Sequence, residues 1–406
     1  MRKSFLLLFS LSLSFVSMAQ NKRCHTDEFE QHLLKQNPEL EIKKQKIEEQ
    51  YRTYLESQNL FKQSTSSQII HIPVVFHIVY KNNAQNLPDS RIMEQLDRLN
   101  LDYSGANADT STVPLEFKPF IANTNLRFYL ATTDPDGNPT TGITRTETEE
   151  FSFGVTQDQI KYTNQGGKDA WPTTQYLNIW VGNIEAGILG YATPPFNHGN
   201  ASDGVVVGYR YLGETGAQAP FNKGRTAVHE VGHYLGLNHV WGPGAGGCGS
   251  DDGISDTPLQ LKNNYGTPAY PQSSCGSSDM FMNYMDYCDD EALVMFSQGQ
   301  RTKMENVATT TRSSLSTVEP VGINENNLSF TIYPNPSKGE VKVQLNSNEK
   351  ESQIQIIDLA GRLQFNMTSE GTELINIDAS HLVNGVYFVK ITQGNKTSQQ
   401  KIVIMK

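Results

Sequence analysis

Five residues in one short window can do chemistry in this 406-residue chain: His229, Glu230, His233, Gly236 and His239, within Thr226-Ala-Val-His-Glu-Val-Gly-His-Tyr-Leu-Gly-Leu-Asn-His239. On a helix, His229 and His233 lie one turn apart on one face. Two imidazoles so placed can hold one zinc ion. Glu230, beside the first ligand, can reach a zinc-bound water as general base. Gly236 can enter the left-handed region and end the helix sharply, so that the chain turns back and His239 supplies a third nitrogen. Three protein ligands leave a fourth position open, the arrangement of a catalytic zinc rather than a structural one. Val228, Val231, Leu235 and Leu237 read as packing residues without a chemical role.

The spacing H-E-x-x-H-x-x-G-x-x-H resembles the signature of the metzincin metallopeptidases, and Phe281-Met-Asn-Tyr-Met-Asp-Tyr287 looks like their Met-turn. The resemblance implies that Met285 lies under the zinc site and that Tyr287 helps to stabilise the tetrahedral oxyanion. The flanks, Asp203-Gly-Val-Val-Val-Gly-Tyr-Arg-Tyr-Leu-Gly213 and Gly246-Gly-Cys-Gly-Ser-Asp-Asp-Gly-Ile-Ser-Asp-Thr-Pro258, are similar to the pappalysin branch of that family. The similarity runs from about Ile69 to about Met304 and is densest from Asn178 to Tyr287. It implies an α+β fold: a twisted mixed sheet, the zinc helix below the cleft, and a smaller irregular lower part.

The same resemblance distributes further roles. Gly187-Ile-Leu-Gly-Tyr-Ala192 becomes the strand of the upper rim, an edge with which an extended substrate could pair through its backbone. Asp289-Asp-Glu291 follow the Met-turn, where metzincins build the pocket for the residue after the scissile bond. A carboxylate there would favour a basic side chain; a solvated acidic turn is the alternative. Asp251, Asp252, Asp256 and Thr257 stand in an irregular loop of the kind that suits calcium. The resemblance singles out Asp252 and Thr257 as calcium ligands, against a plain solvated loop. Cys248 and Cys275 flank this loop, and their pairing would brace the cleft wall, stabilising it by about 3 kcal/mol. Cys288 is either free or a competitor for Cys275, and the second bridge typical of close relatives is not expected.

The elements that must position these residues follow from pattern. Ile69–Tyr80 reads as a buried strand that begins the catalytic domain, with His71 and His77 as packed or surface histidines. Asp89–Leu101 is an amphipathic helix with Ile92, Leu96 and Leu99 on its apolar side. Leu126–Thr132 and Tyr176–Val181 are strands, Asp134–Pro139 is a turn, and Phe296–Val307 is the closing helix.

The N-terminus carries its own signals. Arg2 and Lys3, the apolar run Phe5–Val16 and Ser17-Met-Ala19 make residues 1–19 a secretory signal. Residues 20–66 are polar, helical from Glu28 to Leu60, and too poor in apolar surface to fold alone, which predicts a propeptide wrapping the enzyme. Within it stands Lys22-Arg-Cys-His-Thr26. A thiolate is a good zinc ligand and could take the fourth position, displacing the catalytic water. The Arg-Cys pair resembles the cysteine switch of pappalysin-like proenzymes, which implies Cys24 as the zymogen switch. A stray thiol, or His25 as ligand instead, is the alternative. The net charge of -10 and the lack of basic runs beyond the N-terminus argue against a nucleic-acid partner. No stretch after the signal is apolar enough to span a membrane.

The expected domains are thus residues 1–19, 20–66, a catalytic domain at 67–314, a linker at 315–327 and a final domain at 328–406. The last contains short alternating strands, which predict a small β-sandwich. Tyr333-Pro-Asn-Pro-Ser-Lys-Gly339, Asp358-Leu-Ala-Gly-Arg362 and Leu382-Val-Asn-Gly-Val-Tyr-Phe388 resemble the C-terminal sorting domain of type IX secretion cargo. That resemblance implies export through the periplasm by the type IX machinery, to the outer-membrane surface or the medium. The expected whole is a secreted zinc metalloendopeptidase acting on protein or peptide substrates and made as a zymogen. The rival is a noncatalytic zinc-bearing surface protein, for which Glu230 would have no use.

Overall fold

The computed structural model describes residues 23–60, 69–317, 330–345, 351–358, 362–370, 374–393 and 396–406. The expected signal at 1–19 and most of the linker at 315–327 lie outside the described residues. The chain divides into two compact units, Met1–Glu319 and Pro320–Lys406.

A run rich in β-branched residues sets the centre of the first unit. Strand β1 (Ile70–Tyr80) is buried over Ile72–Val79, as its near-continuous apolar sequence demands. Helix α3 (Asp89–Tyr103) follows, and then strands β2 (Leu126–Leu130), β3 (Ile143–Glu147), β4 (Leu177–Gly182), β5 (Gly190–Ala192) and β6 (Val205–Gly208). The sheet order is β2-β1-β4-β6-β5; β2 and β3 both pair with β1, beside its first and second halves. All pairs are parallel except β5 with β6. The short, little-alternating β3 was not foreseen from sequence, and the expected rim strand is only three residues long.

Alternation gives the sheet two different faces. Val74, Phe76, Ile78, Ile179, Val181, Val205 and Val207 share one core with Ile92, Leu96 and Leu99 of α3 and with helix α4 (Arg225–Tyr234). Val79, Trp180, Val206 and Tyr191 point the other way, into a second cluster. Between Cys248 and Cys275, which are joined by a disulfide, the chain is irregular apart from the two-residue strand β7 (Ser273–Ser274), which pairs with β8 (Ser277–Ser278) just beyond Cys275. Cys288 is buried and free, so the competition for Cys275 is decided in favour of Cys248. Helix α5 (Gln298–Thr309) closes the unit behind a capping box at Ser297 and Gln300.

The N-terminal region forms helices α1 (Thr26–Gln36) and α2 (Glu39–Leu60) rather than the single helix expected from Glu28. Asn37-Pro38 separates them, because proline disfavours a helical residue before it. Of their apolar residues, Phe29, Leu40 and Tyr51 are buried, whereas Ile42 is exposed.

The second unit has strands β9 (Phe330–Tyr333), β10 (Glu340–Leu345), β11 (Glu351–Asp358), β12 (Leu363–Glu370), β13 (Leu374–Asp378), β14 (Gly385–Gln393) and β15 (Lys396–Ile404). They form antiparallel sheets β13-β10-β9 and β12-β11-β14-β15 around one core containing Val343, Ile354, Ile356, Val389 and Ile391. Strand β12 was not foreseen, although Leu363, Phe365 and Met367 alternate with polar residues and the latter two pack against this core.

His77, expected to be packed or exposed, is wholly buried in β1. Its ring nitrogens lie 2.7 Å from the Thr144 hydroxyl and 2.9 Å from Asn178 Oδ1. Burial holds its pKa down at about 4, so the fold selects neutral imidazole. The unfolded chain protonates near pH 6.5 and the folded one only near 4, so this stabilisation is complete above pH 6.5 and lost as the pH falls towards 4. The loss should reach about 3 kcal/mol. Urea denaturation of wild type and His77→Gln across this range should show a flatter pH dependence for the variant.

Candidate metal centre and cleft

Every residue of α4 is buried, and both of its ends are held by buried arginines. At the start, Arg225 pairs with Asp102 at 3.3 Å and Asp109 at 2.5 Å, while Asp290 Oδ2 accepts from the amides of Lys223 and Arg225. At the end, Arg312 donates to the Tyr234 carbonyl at 2.8 Å and pairs with Asp203 at 2.7 Å. Inside the helix, a Cβ on Gly232 would lie 2.6 Å from Met285 Sδ. The Met-turn residue therefore packs against the backbone of the helix, and only glycine permits that approach. The helix stops at Tyr234, and Gly236 takes φ +90°, the left-handed turn expected from its position.

That turn brings His239 back beside His229 and His233. His233 Nε2 lies 3.1 Å from His229 Nε2 and 3.2 Å from His239 Nε2. His229 Nδ1 donates to the Tyr284 carbonyl at 2.7 Å and His233 Nδ1 to the Leu237 carbonyl at 2.8 Å. A carbonyl can only accept, so in the neutral rings these Nδ1 atoms carry the protons and Nε2 is a bare lone pair. Burial, reinforced by His239, holds His229 at about 3 and His233 well below its ordinary value. Converging lone pairs repel unless a cation lies among them, so this donor set fits a metal ion. His239 Nδ1 lies 3.2 Å from Asp27 of α1, and its ring stacks on Trp241 at 4.4 Å.

Glu230 is 1 % exposed, and burial pushes its carboxyl up to about 8. A dication held by the neighbouring imidazoles would pull it back towards the carboxylate form. A Cβ on Gly190 would come within 2.8 Å of Glu230, so glycine lets the rim strand close down on it. Tyr287 is half-buried, its ring centroid 4.9 Å from that of His239.

The N-terminal segment runs through this space. The Sγ of Cys24 joins His229, His233 and His239 in a group whose ligand atoms all lie within 4.8 Å of one another, the one such group of three or more His, Cys, Asp or Glu among the described residues. His25 is not in it. Cys24 Sγ is 3.5 Å from Glu230 Oε2, and the Thr26 hydroxyl donates to that oxygen at 3.0 Å. Arg23 and His25 bond to the rim strand: Leu189 N donates to Arg23 O at 2.7 Å and His25 N to Gly190 O at 3.1 Å. Arg23 extends into a pocket lined by Leu189, Phe221, Tyr287 and Leu293. It pairs with Asp289 at 2.9 Å, donates to the Tyr287 carbonyl, and lies over the rings of Phe221 and Tyr265 at 4.5 and 5.0 Å.

Of the acidic triplet after the Met-turn, then, Asp289 is the one whose carboxylate forms an ion pair among the described residues, with Arg23. Asp290 is buried as the cap of α4 and Glu291 is exposed. Asp252 and Thr257 lie apart from the cluster. The Thr257 hydroxyl lies 2.8 and 2.9 Å from the two carboxylate oxygens of Asp252, and burial raises Asp252 to about 7. Sequence reasoning missed Thr26, Asp27, Trp241 and the rings of Phe221 and Tyr265 under Arg23, whose types carry no spacing signal.

Comparison with known proteins agrees with this geometry. Residues 159–309 match the family model described as pregnancy-associated plasma protein-A, and residues 331–405 match that of the secretion system C-terminal sorting domain. An extracellular metalloprotease of Arthroderma benhamiae is 30 % identical over 241 residues, 58 % of this chain and 76 % of that one. One from Verticillium alfalfae is 32 % identical over 272 residues, 64 % of this chain and 81 % of that one. Among solved structures, mature mirolysin of Tannerella forsythia in complex with a cleaved peptide is 43 % identical with a TM-score of 0.61, covering 62 % of this chain and 96 % of that one. A variant of Tannerella forsythia promirolysin is 40 % identical with a TM-score of 0.63, covering 73 % and 97 %. The fold and site define a metzincin-type metallopeptidase with a type IX sorting domain at its C-terminus. The chain belongs to the pregnancy-associated plasma protein-A family of metallopeptidases.

If Cys24 completes the donor set, cobalt(II) loaded into the full chain should show a sulfur-to-cobalt charge-transfer band. Cys24→Ser should abolish that band while the protein still binds one equivalent of metal.

Proposed function

We propose that this protein is a secreted zinc metalloendopeptidase, made as a zymogen that its own N-terminal segment holds silent. The observation that carries the reading is the convergence of three Nε2 lone pairs beside a buried carboxylate, with the thiol of Cys24 as a fourth donor. His229, His233 and His239 would hold the zinc; three imidazoles suit that ion. Bound there, zinc supplies a Lewis acid that polarises the scissile carbonyl and lowers the pKa of water. Glu230 takes the proton of the attacking water and passes it to the leaving amine. The hydroxyl of Tyr287 assists the oxyanion, and Met285 supports the helix from beneath.

Substrate enters where the N-terminal segment now lies. The edge of β5, uncovered once that segment leaves, would offer backbone partners to an extended chain. The pocket of Asp289, Phe221 and Tyr265 suits a basic side chain next to the scissile bond, because Arg23 finds there both a carboxylate and aromatic faces. Cys24, placed among the imidazoles, would keep water from the metal until residues 20–66 are removed. Calcium at Asp252 and Thr257 belongs to the same reading: a buried carboxylate of raised pKa is a group that a dication would stabilise. The sorting domain would direct passage through the periplasm to the outer-membrane surface or the medium.

Protein processed to remove the N-terminal segment should cut peptides in a chelator-sensitive way, with products read by mass spectrometry. Glu230→Ala should lower kcat/KM by about 100-fold or more without loss of zinc. Zinc-loaded, folded protein that cuts nothing would overturn the reading. Asp289→Asn should reduce the preference for arginine over alanine beside the cut by about tenfold, read from the same product spectra.

A further inference from the structure

Phe29 makes a contact that silencing a metal site does not require. Its ring is 1 % exposed and sits on the face of the sheet opposite α4. It lies 5.2 Å from the ring of Tyr191 and packs in a cluster with Val155, Ile160, Trp180, Ile184 and Ile188. The ammonium of Lys161, itself wholly buried, stands 5.1 Å from the Phe29 centroid, 5.1 Å from that of Tyr191 and 5.2 Å from that of Trp180. Three rings thus surround one cation, and the N-terminal segment contributes one of the three.

The socket does not depend on Phe29 for its shape. Lys161 donates to Ser202 O at 2.8 Å and Thr193 Oγ1 at 3.1 Å and pairs with Asp158 at 3.1 Å; the Tyr191 hydroxyl donates to the same Asp158 oxygen at 2.8 Å. All of these groups belong to the catalytic part of the chain. Removal of the segment would leave a preformed apolar pocket with a fixed, dehydrated cation in its wall. An apolar body is driven into such a pocket by burial, and the cation favours an aromatic ring over an aliphatic chain.

We propose that this pocket is a binding subsite of the processed enzyme for an aromatic side chain of its peptide substrate. The occupant follows from continuity with the cleft. Arg23 and His25 pair with Leu189 and Gly190 of the rim, and only a few residues further on the same chain Phe29 meets Tyr191 of β5. A substrate that pairs with that edge and then turns away, as this chain does at the start of α1, can carry a side chain behind it. The inference rests on the peptidase reading above and adds to it a selectivity for aromatic residues at a distance from the cut.

A panel of peptides with one fixed arginine and a single phenylalanine moved along an alanine background tests it on the processed protein. At one position, phenylalanine should raise kcat/KM at least tenfold over alanine and leucine should raise it less. Ile184→Asn should reduce that gain to under twofold and leave cleavage of the all-alanine peptide unchanged. Should Ile184→Asn fail to fold, Ile184→Ala serves, with at least a threefold smaller gain expected. Equal rates at every position, or an undiminished gain in the variant, would overturn the subsite while leaving the peptidase reading intact. If no peptide were cut, the peptidase reading would fail instead. The pocket would then be judged by fluorescence anisotropy of a labelled Thr26–Gln36 peptide, which lacks Arg23 and Cys24. Binding weakened tenfold or more by Phe29→Ala in that peptide supports the pocket, and no binding overturns it.

Discussion

Neutral imidazoles resist pointing three lone pairs at one another, and much of the catalytic unit serves to impose that arrangement. The Tyr284 and Leu237 carbonyls take the Nδ1 protons of His229 and His233 and so turn both Nε2 atoms inward. Each carbonyl is itself positioned by tertiary structure. Tyr284 belongs to the turn that presses Met285 against Gly232, and Leu237 follows the reversal at Gly236. The site is costly without a cation, and that cost is what gives it affinity for one.

The helix carrying two of the histidines is too short to hold itself in place. Its two ends are tied by Arg225 and Arg312, both fully buried and each paired with a buried aspartate. Buried ion pairs contribute little net stability against an apolar alternative, but losing one partner leaves an uncompensated charge. Their physical value here is orientation. Arg225 links the helix start to the strand of chain around Asp290, one residue from the pocket acid Asp289, while Arg312 ties the helix end to Thr193, next to the rim strand. The Glu230 carboxyl, the rim and the pocket are therefore held in one frame.

The N-terminal segment reads as an inventory of what that frame exposes. A three-residue edge strand has open backbone groups, and Arg23 and His25 bond to its end. A pocket with a carboxylate receives the guanidinium, the imidazole cluster receives a thiol, and an apolar socket receives Phe29. Helix α2 adds contacts away from the cleft, with Lys303 beside Glu48 and over the Tyr51 ring.

Much of the chemistry was legible without coordinates because it is local. The H-E-x-x-H spacing places two imidazoles on one helical face, Gly236 permits the turn that delivers the third, and a period-two pattern marks most of the terminal strands. Cys24 was singled out by its thiol chemistry, its place in the N-terminal segment and the likeness of its Arg-Cys pair to a cysteine switch. Tertiary structure decided what depends on residues distant in sequence. It separated Asp289, which meets Arg23, from Asp290, which caps α4, although the two are adjacent and chemically alike. It chose Cys248 over Cys288 as the partner of Cys275. It brought Trp241, Asp27 and Thr26 to the metal cluster and put Phe29 behind the rim, against Lys161. A side chain's partners across space leave no spacing in its own stretch of sequence, so these assignments came only from the packing that unites β5, α4 and the Met-turn.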